Sequence, residues 1–225
     1  RAAVVKAARA CLADGRARPI SIAPQEGLED LGVAAGEDRD GVIYAHNGCP
    51  SQGTMDIFVE PVLPEPALLV LGASPVAVAL AKLAPAMGFA VTVAATASDF
   101  AKFGDGPALV EGFAAPIELG HNAFVVISTQ GAGDRAALQA VAGMDARYRA
   151  FVGSRRKAET LRRALAESGV SAAALAGIKA PAGLDIGALT SDEIALSILA
   201  EMVAERRTAN VIGDAVVASS GTSAG

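Results

Sequence analysis

The stretch Leu68-Leu69-Val70-Leu71-Gly72-Ala73-Ser74-Pro75-Val76-Ala77 decides the fold. Four apolar residues without a polar one among them suit a strand buried on both faces, the pattern of parallel sheets. Gly72 lets the chain turn. Ser74 and Pro75 then suit the cap and first position of a helix. Val76, Leu80, Leu83 and Met87 lie on one helical stripe, and Pro85 is expected to kink it. The alternation continues outward. Phe89–Ala94 reads as a strand, a short strand is expected near Ala108–Val110, and Ala123–Ser128 is another. A helix follows at Asp134–Val141, a strand at Tyr148–Val152, and a helix at Ser154–Glu167 ending by Gly169. Thr190 and Glu193 form a capping box for a last helix, with Ile194, Ile198 and Met202 on its apolar face. Such alternation predicts an α/β fold with a mostly parallel sheet covered by helices. Ligands in such folds bind beyond the C-terminal ends of the strands. The turns Gly72–Pro75, Ala94–Ala97, Ser128–Gly133 and Gly153–Lys157 are therefore expected on one edge.

Before this lies a smaller α+β region. Residues 2–14 read as a helix with Val5, Ala8 and Leu12 on one face, and Gly15 ends it. Cys11 reads as a small core residue. Arg18–Ala23 is strand-like, and Pro24–Gly41 shows no sustained period and reads as loop. Gly41–Ala45 and Thr54–Glu60 are expected to pair around the turn at 46–53. There Met55, Ile57 and Val59 alternate with Asp56, Phe58 and Glu60. Pro61, Pro64 and Pro66 make a stiff linker, so the domains are expected at 1–63 and 64–225.

The 225 residues are 52% apolar but only 4% aromatic, with no Trp, so Ala, Val and Leu must fill the core. A net charge of −5 argues against nucleic-acid binding. Two cysteines, Cys11 and Cys49, are too few for a disulfide framework, and with His46 and His121 alone they do not suggest structural zinc. No apolar run approaches the roughly 20 residues of a membrane span, and a cytoplasmic location is the default. The chain starts at Arg1, so a preceding segment is expected to be missing from it.

Charge is concentrated in one place. Between Arg147 and Arg163 stand seven cations and one acid, Glu159. Three of the cations, Arg155, Arg156 and Lys157, open a helix behind Gly153 and Ser154. Cations oppose the helix dipole there by about 0.3–1 kcal/mol each. A turn built this way suits a bound anion such as phosphate; the alternative is a solvated basic helix. Gly72-Ala73-Ser74 occupies the place of a dinucleotide fingerprint, but Ser74 replaces its second glycine, and the following strand ends in Ala94-Ala95 without an acid to hold a ribose. Cys49, in a polar turn between Gly48 and Pro50, reads as an accessible thiol able to ligate a soft metal or carry sulfur. Asp185 in the Pro181–Gly187 turn, with Gln130 and Ser128 at a strand end, could line a ligand site. No Ser-His-Asp set, carboxylate pair or His-based metal motif occurs.

Four stretches together resemble the XdhC/CoxI family of molybdenum-hydroxylase maturation factors. They are Cys49-Pro-Ser-Gln-Gly-Thr-Met-Asp-Ile-Phe-Val-Glu-Pro61, Thr129-Gln-Gly-Ala-Gly-Asp134, Phe151-Val-Gly-Ser-Arg-Arg-Lys157 and Pro181-Ala-Gly-Leu-Asp-Ile-Gly-Ala188. The first two lean toward the CoxF-like branch associated with carbon monoxide dehydrogenase. The resemblance implies an N-terminal XdhC/CoxI domain and a Rossmann-like domain. It implies a chaperone-like, non-catalytic protein that binds the molybdenum cofactor, as molybdopterin or its cytosine dinucleotide, and hands it to an apo-hydroxylase such as carbon monoxide or xanthine dehydrogenase. A cysteine desulfurase as sulfur donor and a homodimer are further expectations. In this reading Gly153, Ser154, Arg155, Arg156 and Lys157 hold the phosphate. Gly72, Ala73, Ser74, Gln130 and Asp185 line the remainder, and Cys49 is the reactive group and metal ligand. The sequence departs from the xanthine-dehydrogenase branch where Ser74 and Pro75 replace Gly-His. The alternative function is an NAD(P)-dependent oxidoreductase with a degenerate dinucleotide site; a cofactor-free interaction scaffold is the other class left open.

Overall fold

The structure, a computed structural model, describes residues 2–50, 52–113, 119, 122–131 and 133–219, with side chains as far as Arg207. Ser51, His121 and Ala132, which enter the motifs and loops above, lie outside the described residues. The chain forms two compact units, one of the residues up to Pro64 together with those from Arg207 on, the other Glu65–Arg206.

The first unit holds α1 (Ala2–Asp14), β1 (Arg18–Ala23), α2 (Gln25–Asp30), β2 (Asp38–Arg39), β3 (Val42–His46) and β4 (Met55–Val59). Its sheet runs β2-β3-β1-β4. β3 and β4 do not pair with each other as expected. β1 lies between them, parallel to β3 and antiparallel to β4. The turn at 46–53 thus crosses β1 rather than closing a hairpin. The region from Pro24 to Gly41 is not all loop, since α2 and β2 fall in it. A single buried residue, Leu28, anchors α2 against Ala23 and Val33, which is too little to give a sequence period. α1 also turns differently from the expectation. Ala7 and Cys11 are buried while Val5 and Leu12 face out: Ala7, with no bulk beyond its Cβ, packs on Ile20 and Ala45, and the Cys11 thiol lies 3.6 Å from the Val59 carbonyl oxygen. On β4, Phe58 is 67% exposed; Ile57 and Val59 face the core instead.

The second unit is built on β5 (Ala67–Leu71), α3 (Pro75–Leu83), β6 (Ala90–Ala95), β7 (Ala108–Glu111), β8 (Phe124–Ile127), α4 (Asp134–Ala142), β9 (Tyr148–Phe151), α5 (Arg155–Glu167), α6 (Ala172–Ala176) and the part of α7 (Ser191–Ser219) up to Arg206. Its five strands run β7-β6-β5-β8-β9, every pairing parallel. The apolar run of β5 has the reason expected of it. Leu68 and Val70 face a core with Val76, Leu80, Phe89, Phe124, Ile198 and Met202, while Leu69 and Leu71 face another with Leu138, Val141, Phe151, Leu165 and Ile178. Both faces are covered, and each such side chain contributes about 1.5–3 kcal/mol by leaving water. Pro85 ends α3 at Leu83 and a 3-10 turn, Ala84–Met87, follows, which leaves Met87 exposed. The five-residue α6 has no forerunner in the sequence pattern. No helix among the described residues is long and apolar enough to cross a membrane.

Candidate functional site

Parallel pairing brings the turns after β5, β6, β8 and β9 to one edge of the sheet. The segment after α6 joins them. Lys179 pairs alongside Ala150, and the Ala182 N–H donates to the Phe151 carbonyl at 3.1 Å, so residues 183–187 run on past the end of β9. Gly72, Ala73, Ser74, Gln130, Gly153–Lys157 and Asp185 therefore lie on or beyond this edge.

The first turn is close-packed. Gly72 has φ +107°, and a Cβ there would stand 2.5 Å from the Ser128 carbonyl oxygen. Ser74 caps α3, its Oγ accepting from the Ala77 N–H at 3.1 Å, and lies 2.6 Å from the Ser128 Oγ. Both serines are buried, so the Ser74 hydroxyl is committed to packing the two turns together. After β6, Asp99 is bonded to Thr96 and paired with Lys102 at 2.6 Å; this acid serves its own turn.

The basic turn divides its charges. Ser154 caps α5, accepting from the Lys157 N–H at 3.3 Å. The Lys157 ammonium turns away to the Asp134 carboxylate and lies 5.6 Å from the centroid of the Phe151 ring. Arg162 donates to the Ile178 carbonyl, Arg149 to that of Ala142 at 3.1 Å, and Arg147 to that of Glu205 at 2.6 Å. Arg155 and Arg156 stay exposed, without an ion pair among the described residues. Of the basic segment, these two guanidiniums stand at the helix start with its open N–H groups, an arrangement suited to a phosphate.

Two buried carboxylates escaped the sequence reading. Asp134, 5% exposed, accepts hydrogen bonds from the Thr129 hydroxyl and, at 3.0 Å, from the Gly131 N–H, and it pairs with Lys157. Burial pushes its pKa up, but the bonds from Lys157, Thr129 and Gly131 outweigh that and hold it below the usual range. Gln130, between the two donors, has φ +51° and is exposed. Glu201, also 5% exposed, accepts from the Tyr148 hydroxyl and from the Gly183 N–H at 2.9 Å, and pairs with Lys179 at 2.8 Å. Burial opposes ionisation there too, and the bonds from Lys179, Tyr148 and Gly183 lower its pKa on balance. Burial and the Glu201 charge push the Tyr148 phenol far up. The available signal was position: Glu201 falls seven residues after Ile194, on the apolar stripe of α7. Asp185 is exposed.

Cys49 belongs to the first unit. Its N–H donates to the Asn47 Oδ1 at 3.0 Å, and the Asn47 amide closes the turn on the Gly53 carbonyl at 2.6 Å. The residue is exposed and in no disulfide. No group of three or more His, Cys, Asp or Glu side chains that could hold a metal occurs among the described residues. His46 is exposed at the end of β3.

Comparison with known proteins matches this architecture. The model of the XdhC Rossmann domain matches residues 68–202, more than half of the chain. The uncharacterized protein YqeB of Escherichia coli strain K12 is 32% identical over 174 residues, which cover 72% of this chain and 31% of YqeB. A crystal structure of a xanthine dehydrogenase from Bacillus halodurans superposes with a TM-score of 0.55 at 23% identity, over 69% of this chain and 46% of that one; it shares the fold. The chain thus spans about a third of the curated relative and under half of the solved one. The matched span takes in the strands and helices of the second unit from Leu68 to Met202, and the chain belongs to the XdhC family.

Proposed function

We propose that this protein is a maturation factor of a molybdenum hydroxylase, of the carbon monoxide or xanthine dehydrogenase type, and that it carries the molybdenum cofactor as cargo. Family membership supports the process. The observation that carries the cargo is the pair Arg155 and Arg156, exposed at the start of α5 while Lys157 is spent on Asp134. The donor chemistry fits the phosphate end of a pterin cofactor: two planar guanidiniums, the Ser154 hydroxyl and the first N–H groups of α5. The Gln130 amide and Asp185 border the same edge, and Gly72, Ala73 and Ser74 contribute backbone and shape, the Ser74 hydroxyl being committed to Ser128. In the first unit the exposed Cys49 thiol supplies a soft ligand for molybdenum or a carrier for sulfur delivered by a desulfurase.

The test is retention of cargo. The full chain is incubated with molybdenum cofactor, freed of excess and denatured, and released pterin is measured. Arg155→Ala with Arg156→Ala should lower retention at least tenfold, since each charge-assisted bond contributes about 1.5–3 kcal/mol. The fold should be no less stable, because cations at a helix start are unfavourable by about 0.3–1 kcal/mol each. Unchanged retention refutes the assignment. Cys49→Ser should leave folding intact while lowering the metal or sulfur content of the client enzyme; a client with normal metal and sulfur content removes Cys49 from the mechanism.

A further inference from the structure

Gln130 is one of three non-glycine residues with positive φ among the described residues, and it sits in the turn between β8 and α4. Left-handed backbone costs such a residue about 1–3 kcal/mol unless its surroundings impose it. Here the imposing group is visible. The residues on either side of Gln130 both donate to the same oxygen, Asp134 Oδ1, the Thr129 hydroxyl from one side and the Gly131 N–H from the other. The chain wraps this buried atom, and Gln130 is the residue forced outward. The other oxygen, Oδ2, holds Lys157 of α5. One carboxylate therefore joins the turn after β8 to the basic turn after β9.

We infer that Asp134 is the positioning residue of the ligand edge: it fixes Gln130 in left-handed backbone, presenting its amide on the edge that carries Arg155 and Arg156, and it removes Lys157 from the ligand's charge balance. The inference rests on the anion-site reading above. It sharpens the ligand as well. With Lys157 paired to Asp134, the free charge of the turn is that of Arg155 and Arg156, which a phosphate or pyrophosphate group would meet. Glu201 supplies an internal comparison. It has the same three kinds of partner, a hydroxyl, a loop N–H and a lysine, and its lysine also lies over a ring, Lys179 at 5.9 Å from the centroid of Tyr148. It fixes Gly183, on the opposite side of β9 from β8.

The experiment uses the full chain and inorganic pyrophosphate as probe, with binding followed by calorimetry. Asp134→Ala removes the acceptor, whereas Asp134→Asn keeps an oxygen for Thr129 and Gly131. Gln130→Ala removes the amide. In a Lys157→Met background, where no freed cation can reach the ligand, Asp134→Ala should weaken pyrophosphate binding about three- to tenfold, the value of one hydrogen bond, and Asp134→Asn should keep it within about twofold of the Lys157→Met protein by keeping that acceptor. With Gln130→Ala added to that background the Asp134→Ala loss should vanish, because the hydrogen-bonding oxygen Oδ1 acts on the ligand through Gln130. Hydrogen exchange should rise at residues 129–131 in Asp134→Ala and stay at the wild-type rate at 183–187; Glu201→Ala should do the reverse. If Asp134→Ala does not fold, Thr129→Val, which deletes the hydroxyl donor alone, carries the same cycle and the same exchange measurement. An equal loss in both backgrounds, an Asn variant as weak as Ala, or unaltered exchange at 129–131 overturns the inference while leaving the anion site standing. A wild-type protein that does not bind pyrophosphate overturns the anion site, and the presenting role with it.

Discussion

Replacing Gly72 by alanine tests the packing that sets the ligand edge. Two costs are separable. Gly72 has φ +107°, a region that costs a residue with a Cβ about 1–3 kcal/mol. The added carbon would also meet the Ser128 carbonyl oxygen at 2.5 Å, the Thr129 Cα at 2.7 Å and the Ser128 carbonyl carbon at 2.8 Å. These are backbone atoms of a turn held by the Ser74–Ser128 contact, so they cannot yield as a flexible side chain would. Overpacking of this kind costs about 1–3 kcal/mol, for a total of about 2–6 kcal/mol. Against a global stability of about 5–15 kcal/mol that is severe. Gly131 is the control: its φ is +101° but nothing stands within 4 Å of its added Cβ. Gly131→Ala should cost only the conformational part, about 1–3 kcal/mol. Urea denaturation of both variants gives the difference directly, provided the slope is unchanged. A Gly72→Ala protein as stable as Gly131→Ala would refute the close approach of the two turns.

Ser74→Ala removes the α3 cap, about 0.5–2 kcal/mol, and strands the buried Ser128 hydroxyl, about 1–3 kcal/mol more. Adding Ser128→Ala should recover part of the loss in thermal melts, and a further loss would contradict the pairing. Glu201 gives a pH signature. Its folded pKa lies below the ordinary glutamate value of 4.5, so its contribution is complete above pH 4.5 and is lost as pH falls through the lower folded value. Glu201→Gln should therefore flatten the acid limb of stability against pH, measured by urea midpoints; parallel limbs would sink the argument.

Much of the second unit was legible because its signals are local. The unbroken apolar run of β5 implied two covered faces, and both are present. Ser154 and the Thr190–Glu193 box announced helix starts, with Glu193 Oε2 accepting from the Thr190 N–H at 2.9 Å. What escaped depends on partners distant in sequence. Nothing near β3 or β4 says that β1 will lie between them. Nor does the string Arg155-Arg156-Lys157 say which cation will be spent. Lys157 is neutralised by a residue 23 positions earlier, and only the three-dimensional structure separates it from its neighbours. The buried carboxylates were hidden for the same reason, since Tyr148 and Glu201 are 53 residues apart.

The arginines that bind carbonyls have an effect beyond their bonds. Arg147, Arg149 and Arg162 each donate to a neutral oxygen, so these bonds leave the guanidinium charge uncancelled, unlike that of Lys157. An acidic chain, net −5, thereby keeps a positive field around β9 and α5. On the ligand edge itself the exposed charges are Arg155 and Arg156, and there such a field acts before contact and accelerates the capture of anions. It also reaches only about 10 Å at 0.1 M salt. Association with an anionic cargo should thus slow as ionic strength rises, even where the short bonds that retain the cargo are less affected.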